Sequence, residues 1–362
     1  MFAYLARAFA AEHGLLVDMV LAEAKGPHLV EVPSAVRVID LKRHRQLAAA
    51  RPLARYLSSE CPAALLTGMP HSNLVALWAR ERARAATRVV ISEHNPLGNT
   101  LSGARGLNWR VLRPLIRRYY RRADAIIAVS EESAQHVADI ARLPRERITV
   151  VHNPALTPDC LQRMKEDLRH RWFAPGAPPV VLSVGRLVDQ KDFPTLIRAF
   201  AQVRAARAAR LLILGEGPRR HDLEALCDSL GLGGDVELAG HVNNPYPFFP
   251  RAAVFVLPSA FEGFGNVLVE AMAAGTPVVA TRCGGPVEIL EDGRYGRLVP
   301  VGGVEELARA IHAALDAPAD PAALKARASQ FSVTRVAPRY LKCMGINLKR
   351  EFAQTLIPPA SH

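Results

Sequence analysis

Two carboxylates stand eight positions apart in the segment Phe261-Glu262-Gly263-Phe264-Gly265-Asn266-Val267-Leu268-Val269-Glu270, on either side of a glycine-bearing turn. Gly263 and Gly265 let backbone amides approach a ligand closely, and a helix opening at Asn266 turns its N-terminus toward an anion such as a diphosphate. A carboxylate beside a phosphate repels it. Glu262 in the loop and Glu270 on the first turns of the helix therefore suit the hydroxyls of a sugar and a ribose, whose hydrogens they accept. Two arbitrary glutamates would be solvated surface residues, but these are flanked by glycines and preceded by the apolar run Val254-Phe255-Val256-Leu257. The chain has no D-x-D sequence and its twelve histidines form no H-x-x-x-H pair, so no metal is expected and the cation facing the anion must be a side chain.

The elements that must hold these residues are legible as short apolar runs, each ending in a turn: Val17 to Leu21, Ala64 to Leu66, Val89 to Ser92, Ala125 to Val129, Val180 to Val184, Leu211 to Leu214, Val254 to Leu257 and Pro277 to Ala280. Helical patterns separate most of them, which predicts parallel sheets covered on both faces, with ligands beyond the carboxyl ends of the strands. Gly185-Arg186, Gly215-Glu216-Gly217, Glu262-Gly263 and Cys283-Gly284-Gly285 all follow apolar runs directly, so four glycine-bearing loops are expected on one rim of one sheet. The proline-rich stretch from Val151 to Pro179 reads as a connection between two domains.

The Glu262 to Glu270 segment resembles the E-x7-E motif of the retaining glycosyltransferases of family 4, also called glycosyl transferases group 1. Further segments are similar to that family: Val181 to Leu187 with Gln190-Lys191-Asp192, Leu211 to Pro218, Ala271 to Thr281, Gly284 to Ile289, Asp292-Gly293, and in the first half Ile91 to Asn95 and Arg122 to Ser130. The resemblance implies the GT-B fold, two Rossmann-like doubly wound domains facing a central cleft. The expected domains are 1–155 for the acceptor, 156–335 for the nucleotide sugar, and a C-terminal helix and tail over 336–362 that crosses back to the first. It implies that Arg186 and Lys191 neutralise the departing diphosphate, whose growing charge fixed cations and helix-terminal amides stabilise. It further implies that Glu262 binds the donor sugar, that Glu270 binds the ribose, and that the Phe264-Gly265 amides bind phosphate. Gly185, Gly215, Gly217 and Asn266 line the donor, the main chain at Gly240-His241-Val242 meets the base, and His94 faces the donor sugar from the first domain. Family members open with a strand and a Gly-Gly loop, whereas this sequence starts at the following helix, Leu5-Ala6-Arg7-Ala8-Phe9 leading to His13-Gly14. Either the start lies upstream or this form is shortened, and the first sheet is expected to carry an unpaired strand edge.

The implied activity is transfer of a hexose or N-acetylhexosamine from a UDP-sugar to a lipid-linked or polysaccharide acceptor in cell-surface glycan assembly, with no cofactor. The alternatives are a cytosolic transferase acting on a soluble sugar or sugar phosphate, and a homologue that binds the donor without transfer. Charge bears on the acceptor. The chain carries a formal net charge of +12, and its first 150 residues hold 22 Lys and Arg against 13 Asp and Glu. Arg105, Arg110, Arg113, Arg117, Arg118, Arg121 and Arg122 alternate with Trp109, Leu112, Leu115, Ile116, Tyr119 and Tyr120, a basic amphipathic helix suited to anionic lipid or an acidic acceptor, or else an ordinary solvated face. No nucleic-acid module accompanies the charge, so nucleic acid is not an expected partner. Five scattered cysteines with no C-x-x-C pair argue for a reducing compartment, and no signal peptide is evident. The expected location is the cytoplasm, peripheral at the inner face of the membrane.

Overall fold

A computed structural model describes residues 1–26, 29, 32–98 and 107–347, the side chains of 107–109 excepted. The chain divides into two compact units, Met1–Pro154 together with the chain from Val333 onward, and Ala155–Ser332. Among the described residues no helix is long and apolar enough to cross a membrane.

The Ala155–Ser332 unit holds β7 (Val180–Val184), β8 (Arg210–Leu214), β9 (Val236–Gly240), β10 (Val254–Leu257), β11 (Val278–Thr281) and β12 (Arg297–Val299). They form one parallel sheet in the order β12-β11-β10-β7-β8-β9. β10 and β11 are buried throughout, as expected of apolar strands covered on both faces. The one polar residue deep in β7, Ser183, is fully buried and donates its hydroxyl to the Val256 carbonyl at 2.7 Å, which removes the cost of burying it. Helices Phe193–Ala206 and Val304–Asp316 cover the sheet with Leu196, Ile197, Phe200, Leu307 and Ile311 in a shared core. The sheet order reverses between β7 and β10, and in open parallel sheets ligands bind beyond a reversal of this kind.

The other unit holds β1 (Val17–Leu21), β2 (Val36–Asp40), β3 (Ala64–Gly68), β4 (Arg88–Glu93), β5 (Ala125–Ala128) and β6 (Ile148–Val150). These fall into two parallel sheets, β1-β2 and β3-β4-β5-β6. β1 and β3 each pair on one side only, and both are half-buried along almost their whole length despite apolar sequences. A cavity of about 110 Å³ is lined by Val20 of β1, by Ala22 just after it, and by Leu65, Leu66 and Thr67 of β3. The helix Val333–Cys343 buries Val333, Val336, Ala337, Tyr340 and Leu341, the i, i+3, i+4, i+7, i+8 stripe of an amphipathic helix. That stripe packs with Leu5, Ala8 and Phe9 of the helix Phe2–Ala11 and with Val90 and Ile127.

Four strands were not foreseen. β2, β6, β9 and β12 are short or carry charged and partly exposed residues, so their apolar signal is weak. The basic stretch is helical over Leu107–Tyr119, but its apolar face is not offered to lipid: Leu112, Ile116 and Tyr120 lie in the core of their own unit. Arg105 and the Trp109 side chain lie outside the described residues.

Candidate active site

The two strands at the reversal each deliver one half of the expected chemistry. β7 ends at Val184 and leads into Gly185, Arg186 and the short helical turn Asp189–Lys191. β10 ends at Leu257 and leads through Ser259 to Glu262 and the helix Asn266–Ala274. In open parallel sheets the crevice beyond such a reversal is where ligands bind. Gln190 helps tie the loops together: the Ala260 amide donates to the Gln190 carbonyl at 2.8 Å, and the Gln190 amide side chain donates to the Phe261 carbonyl at 3.0 Å.

The glycines act by close approach. A Cβ on Gly215, whose φ is +152°, would stand 1.9 Å from the Gly185 carbonyl oxygen, and one on Gly217 would stand 2.4 Å from that of Leu187. Gly215 donates to the Gly240 carbonyl at 2.8 Å and Leu187 to the Glu216 carbonyl at 2.9 Å, so the loops after β7, β8 and β9 form one stitched rim. His241 is exposed there and Val242 half-buried. Gly265 takes φ +100° at the N-cap of the helix Asn266–Ala274, whose first-turn amides have no partner within the helix. Gly263 is buried, Asn266 is half-buried, and Phe264 is buried edge-on against Phe331, with the Phe264 backbone so close to Gly285 that a Cβ there would lie 2.2 Å from the Phe264 oxygen.

The charged residues are arranged less evenly than the sequence implied. The Arg186 guanidinium is exposed and bonds to no carboxylate among the described residues, leaving it available to an anion. Lys191 is engaged: its ammonium pairs with Glu262 Oε1. Glu262, 6% exposed, takes a second bond at the same oxygen from the Ser259 hydroxyl at 2.7 Å, while its Oε2 accepts from no described residue. The two residues expected to hold phosphate and sugar separately thus hold each other. Glu270 has no hydrogen-bond or ion partner among the described residues, and burial pushes its carboxyl up to about 7.

His94 stands in the other unit, just beyond the carboxyl end of β4. Burial, partly opposed by a hydrogen bond with Asn153, holds its pKa down at about 4, so the ring is neutral at pH 7. The ring lies edge-on to Phe2, and its buried Nε2 has no hydrogen-bond partner among the described residues. The preceding Glu93 is also pushed up to about 7 by burial, but it accepts hydrogen bonds from Tyr120 and from Asn73 Nδ2, the latter at 2.7 Å. Sequence reasoning missed this buried cluster, as it missed Ser259. Their members are scattered or of an ordinary type, and only the position of Ser259 three residues before Glu262 was there to be noticed.

The basic helix face is partly spoken for. Arg117 donates to the Ile140 carbonyl, Arg121 to the Arg117 carbonyl, and Arg122 pairs with Glu81 and lies over the Tyr119 ring. Arg113, Arg118 and Arg121 are exposed.

Two parallel-sheet α/β domains, one with its ligand loops at a strand-order reversal, define the class of the GT-B glycosyltransferases. Residues 1–155 match glycosyltransferase family 4 and residues 164–331 match glycosyl transferases group 1. Together these matches span most of the chain, which belongs to this glycosyltransferase family. It is 37% identical over 193 residues, 53% of this chain and 54% of the other, to the lipopolysaccharide core biosynthesis glycosyltransferase LpsE of Rhizobium meliloti (strain 1021). It is 32% identical over 230 residues, 63% of this chain and 60% of the other, to the N-acetylgalactosamine-N,N'-diacetylbacillosaminyl-diphospho-undecaprenol 4-alpha-N-acetylgalactosaminyltransferase of Campylobacter jejuni subsp. jejuni serotype O:2. The matches thus span less than two thirds of either relative. In fold the chain is similar to Anabaena HepE, solved in complex with UDP-glucose, with a TM-score of 0.75, 23% identity and 95% of each chain covered.

Proposed function

We propose that the chain is a retaining, metal-independent glycosyltransferase that moves a hexose or N-acetylhexosamine from a UDP-sugar to a lipid-linked or polysaccharide acceptor in cell-surface glycan synthesis. One observation carries the reading: the cationic Gly185–Lys191 loop and the Glu262–Glu270 loop and helix leave β7 and β10, the two strands at which the sheet order reverses. The relatives that act in lipopolysaccharide and undecaprenol-linked glycan assembly support the acceptor class, and the UDP-glucose complex of the similar fold supports the donor.

In this reading Arg186 and the amides at the start of the Asn266–Ala274 helix take the diphosphate. Glu270, half-buried and bonded to no described residue, accepts the ribose hydroxyls, and Glu262 turns its Oε2 to the donor sugar. Glu262, bonded through Oε1 to Ser259, serves in this reading as an acceptor for sugar hydroxyls and not as a nucleophile, and the reaction proceeds by front-face attack assisted by the leaving phosphate instead of through a covalent glycosyl-enzyme. The exposed Arg113, Arg118 and Arg121 would meet an anionic membrane by charge alone.

A donor screen read by mass spectrometry, with polyprenyl diphosphate sugars as acceptors and EDTA present, tests the proposal. Transfer that persists in EDTA with retention at the anomeric carbon is expected; a strict Mg²⁺ requirement or inversion would overturn it. A second reading, donor binding without transfer, is favoured by the break between β1 and β3 in the other unit. Calorimetric binding of UDP without any turnover would select it.

A further inference from the structure

We infer that Ser259 is a positioning residue that aims Glu262 at the donor sugar; this deepens the function proposed above and rests on it. Ser259 is fully buried between β10 and Glu262, and its hydroxyl donates to Glu262 Oε1 at 2.7 Å. Its carbonyl is held in turn: Thr281 Oγ1, at the end of β11, donates to it at 2.5 Å, and the Cys283 thiol lies 3.4 Å away. Thr281 and Cys283 are themselves buried, so a row of side chains from the neighbouring strand fixes the Ser259 backbone, and through it the hydroxyl.

The geometry divides the labour between the two oxygens of Glu262. Ser259 and Lys191 share Oε1, and Oε2 alone remains for a ligand. Lys191 is the only cation bonded to Glu262 among the described residues, and it stands on the phosphate side of the crevice, in the loop that also carries Arg186. When a diphosphate enters, the ammonium turns toward the stronger anion and its bond to Oε1 weakens. Ser259 then remains as the neutral donor that keeps a nearly buried carboxylate oriented and solvated while Oε2 takes the sugar hydroxyl. A product without its sugar makes no use of Glu262 and gains nothing from Ser259.

The experiment compares Ser259→Ala and Ser259→Thr in the wild-type and Glu262→Ala backgrounds, with UDP and the intact nucleotide sugar as separate calorimetric ligands and steady-state transfer as the activity. Losing one hydrogen bond to a charged group should raise the donor KM roughly tenfold or more in Ser259→Ala. UDP affinity should stay unchanged, the thermal midpoint should fall modestly because a buried bond is lost from the ligand-free protein as well, and Thr, which keeps the hydroxyl, should restore donor binding. In the Glu262→Ala background the Ser259→Ala change should cost nothing further, because residues that act through one contact are not additive. Equal loss of UDP and donor affinity, the same loss in both backgrounds, or no loss in the wild-type background would overturn the inference. A wild-type protein that binds no nucleotide sugar would instead sink the function on which it rests.

Discussion

The two units are built from the same kind of parallel strand, yet one sheet is continuous and the other is broken. In Ala155–Ser332 six strands run without interruption, and the reversal between β7 and β10 is bracketed by buried neighbours. In the other unit six strands divide two and four, leaving apolar residues of β1 and β3 half-exposed at edges that pair on one side only. An unpaired edge forgoes ladder hydrogen bonds and apolar burial alike. Loops stitched together at 2.8 to 3.0 Å keep their shape only while the strands beneath them do, so the continuous sheet is the better support for such a rim.

A second contrast runs between two carboxyls that burial pushes up to about 7. Glu93, in the broken unit, is given partners by Tyr120 and Asn73, whereas Glu270, in the continuous unit, has none among the described residues. The same shift therefore accompanies a carboxyl that is hydrogen-bonded within its own unit in one case and one that bonds to no described residue in the other. Each group binds its proton more tightly folded than unfolded, so each subtracts stability as pH rises from about 4.5 toward about 7.

The largest expected effect concerns the sheets themselves. Amides of β1 and β3 should exchange with deuterium about three orders of magnitude faster than those of β7 and β10, because local opening free energies run from near zero up to the global value. Equal protection across both units, read by mass spectrometry, would erase the comparison. Next is Arg186→Ala, which should lower turnover on the order of 10²-fold, as expected for loss of a preorganised charge at the leaving diphosphate. An Arg118→Ala control in the other unit should leave turnover within about twofold in solution assays, since its side chain is exposed and bonds to no described residue.

Glu270→Ala should weaken UDP binding by roughly 1.5 to 3 kcal/mol, the worth of hydrogen bonds to a charged acceptor. Wild-type affinity should rise with pH up to about 7 as Glu270 ionises, with a proton released on binding, and Glu270→Gln should flatten that profile. A profile as steep in the Gln variant as in wild type would assign the titration elsewhere. The smallest effect belongs to the basic face. Charge reversal at Arg113, Arg118 and Arg121 should reduce binding to anionic vesicles by about 1 kcal/mol per residue at low salt. Co-sedimentation that ignores the reversal would leave these arginines as solvated surface.

Much of the site was legible because its chemistry is local in the chain. Glu262, Gly263, Gly265 and the helix over Asn266–Ala274 lie in one continuous segment, and apolar runs ended by glycine in β7 and β8 and by proline in β10 identify these strands with little ambiguity. What the sequence could not determine was pairing. Nothing in Lys191 or Glu262 alone says that they bond to each other, that Ser259 shares the same oxygen, or that Glu270 is left without a partner. The basic stretch shows the same limit, since its apolar residues read equally well as a lipid-facing stripe or a core-facing one, and the fold buries Leu112, Ile116 and Tyr120 internally. Periodicity along the chain sets the local conformation, but whether a face or a charge is satisfied depends on residues dozens of positions away, and only the packed sheet brings those together.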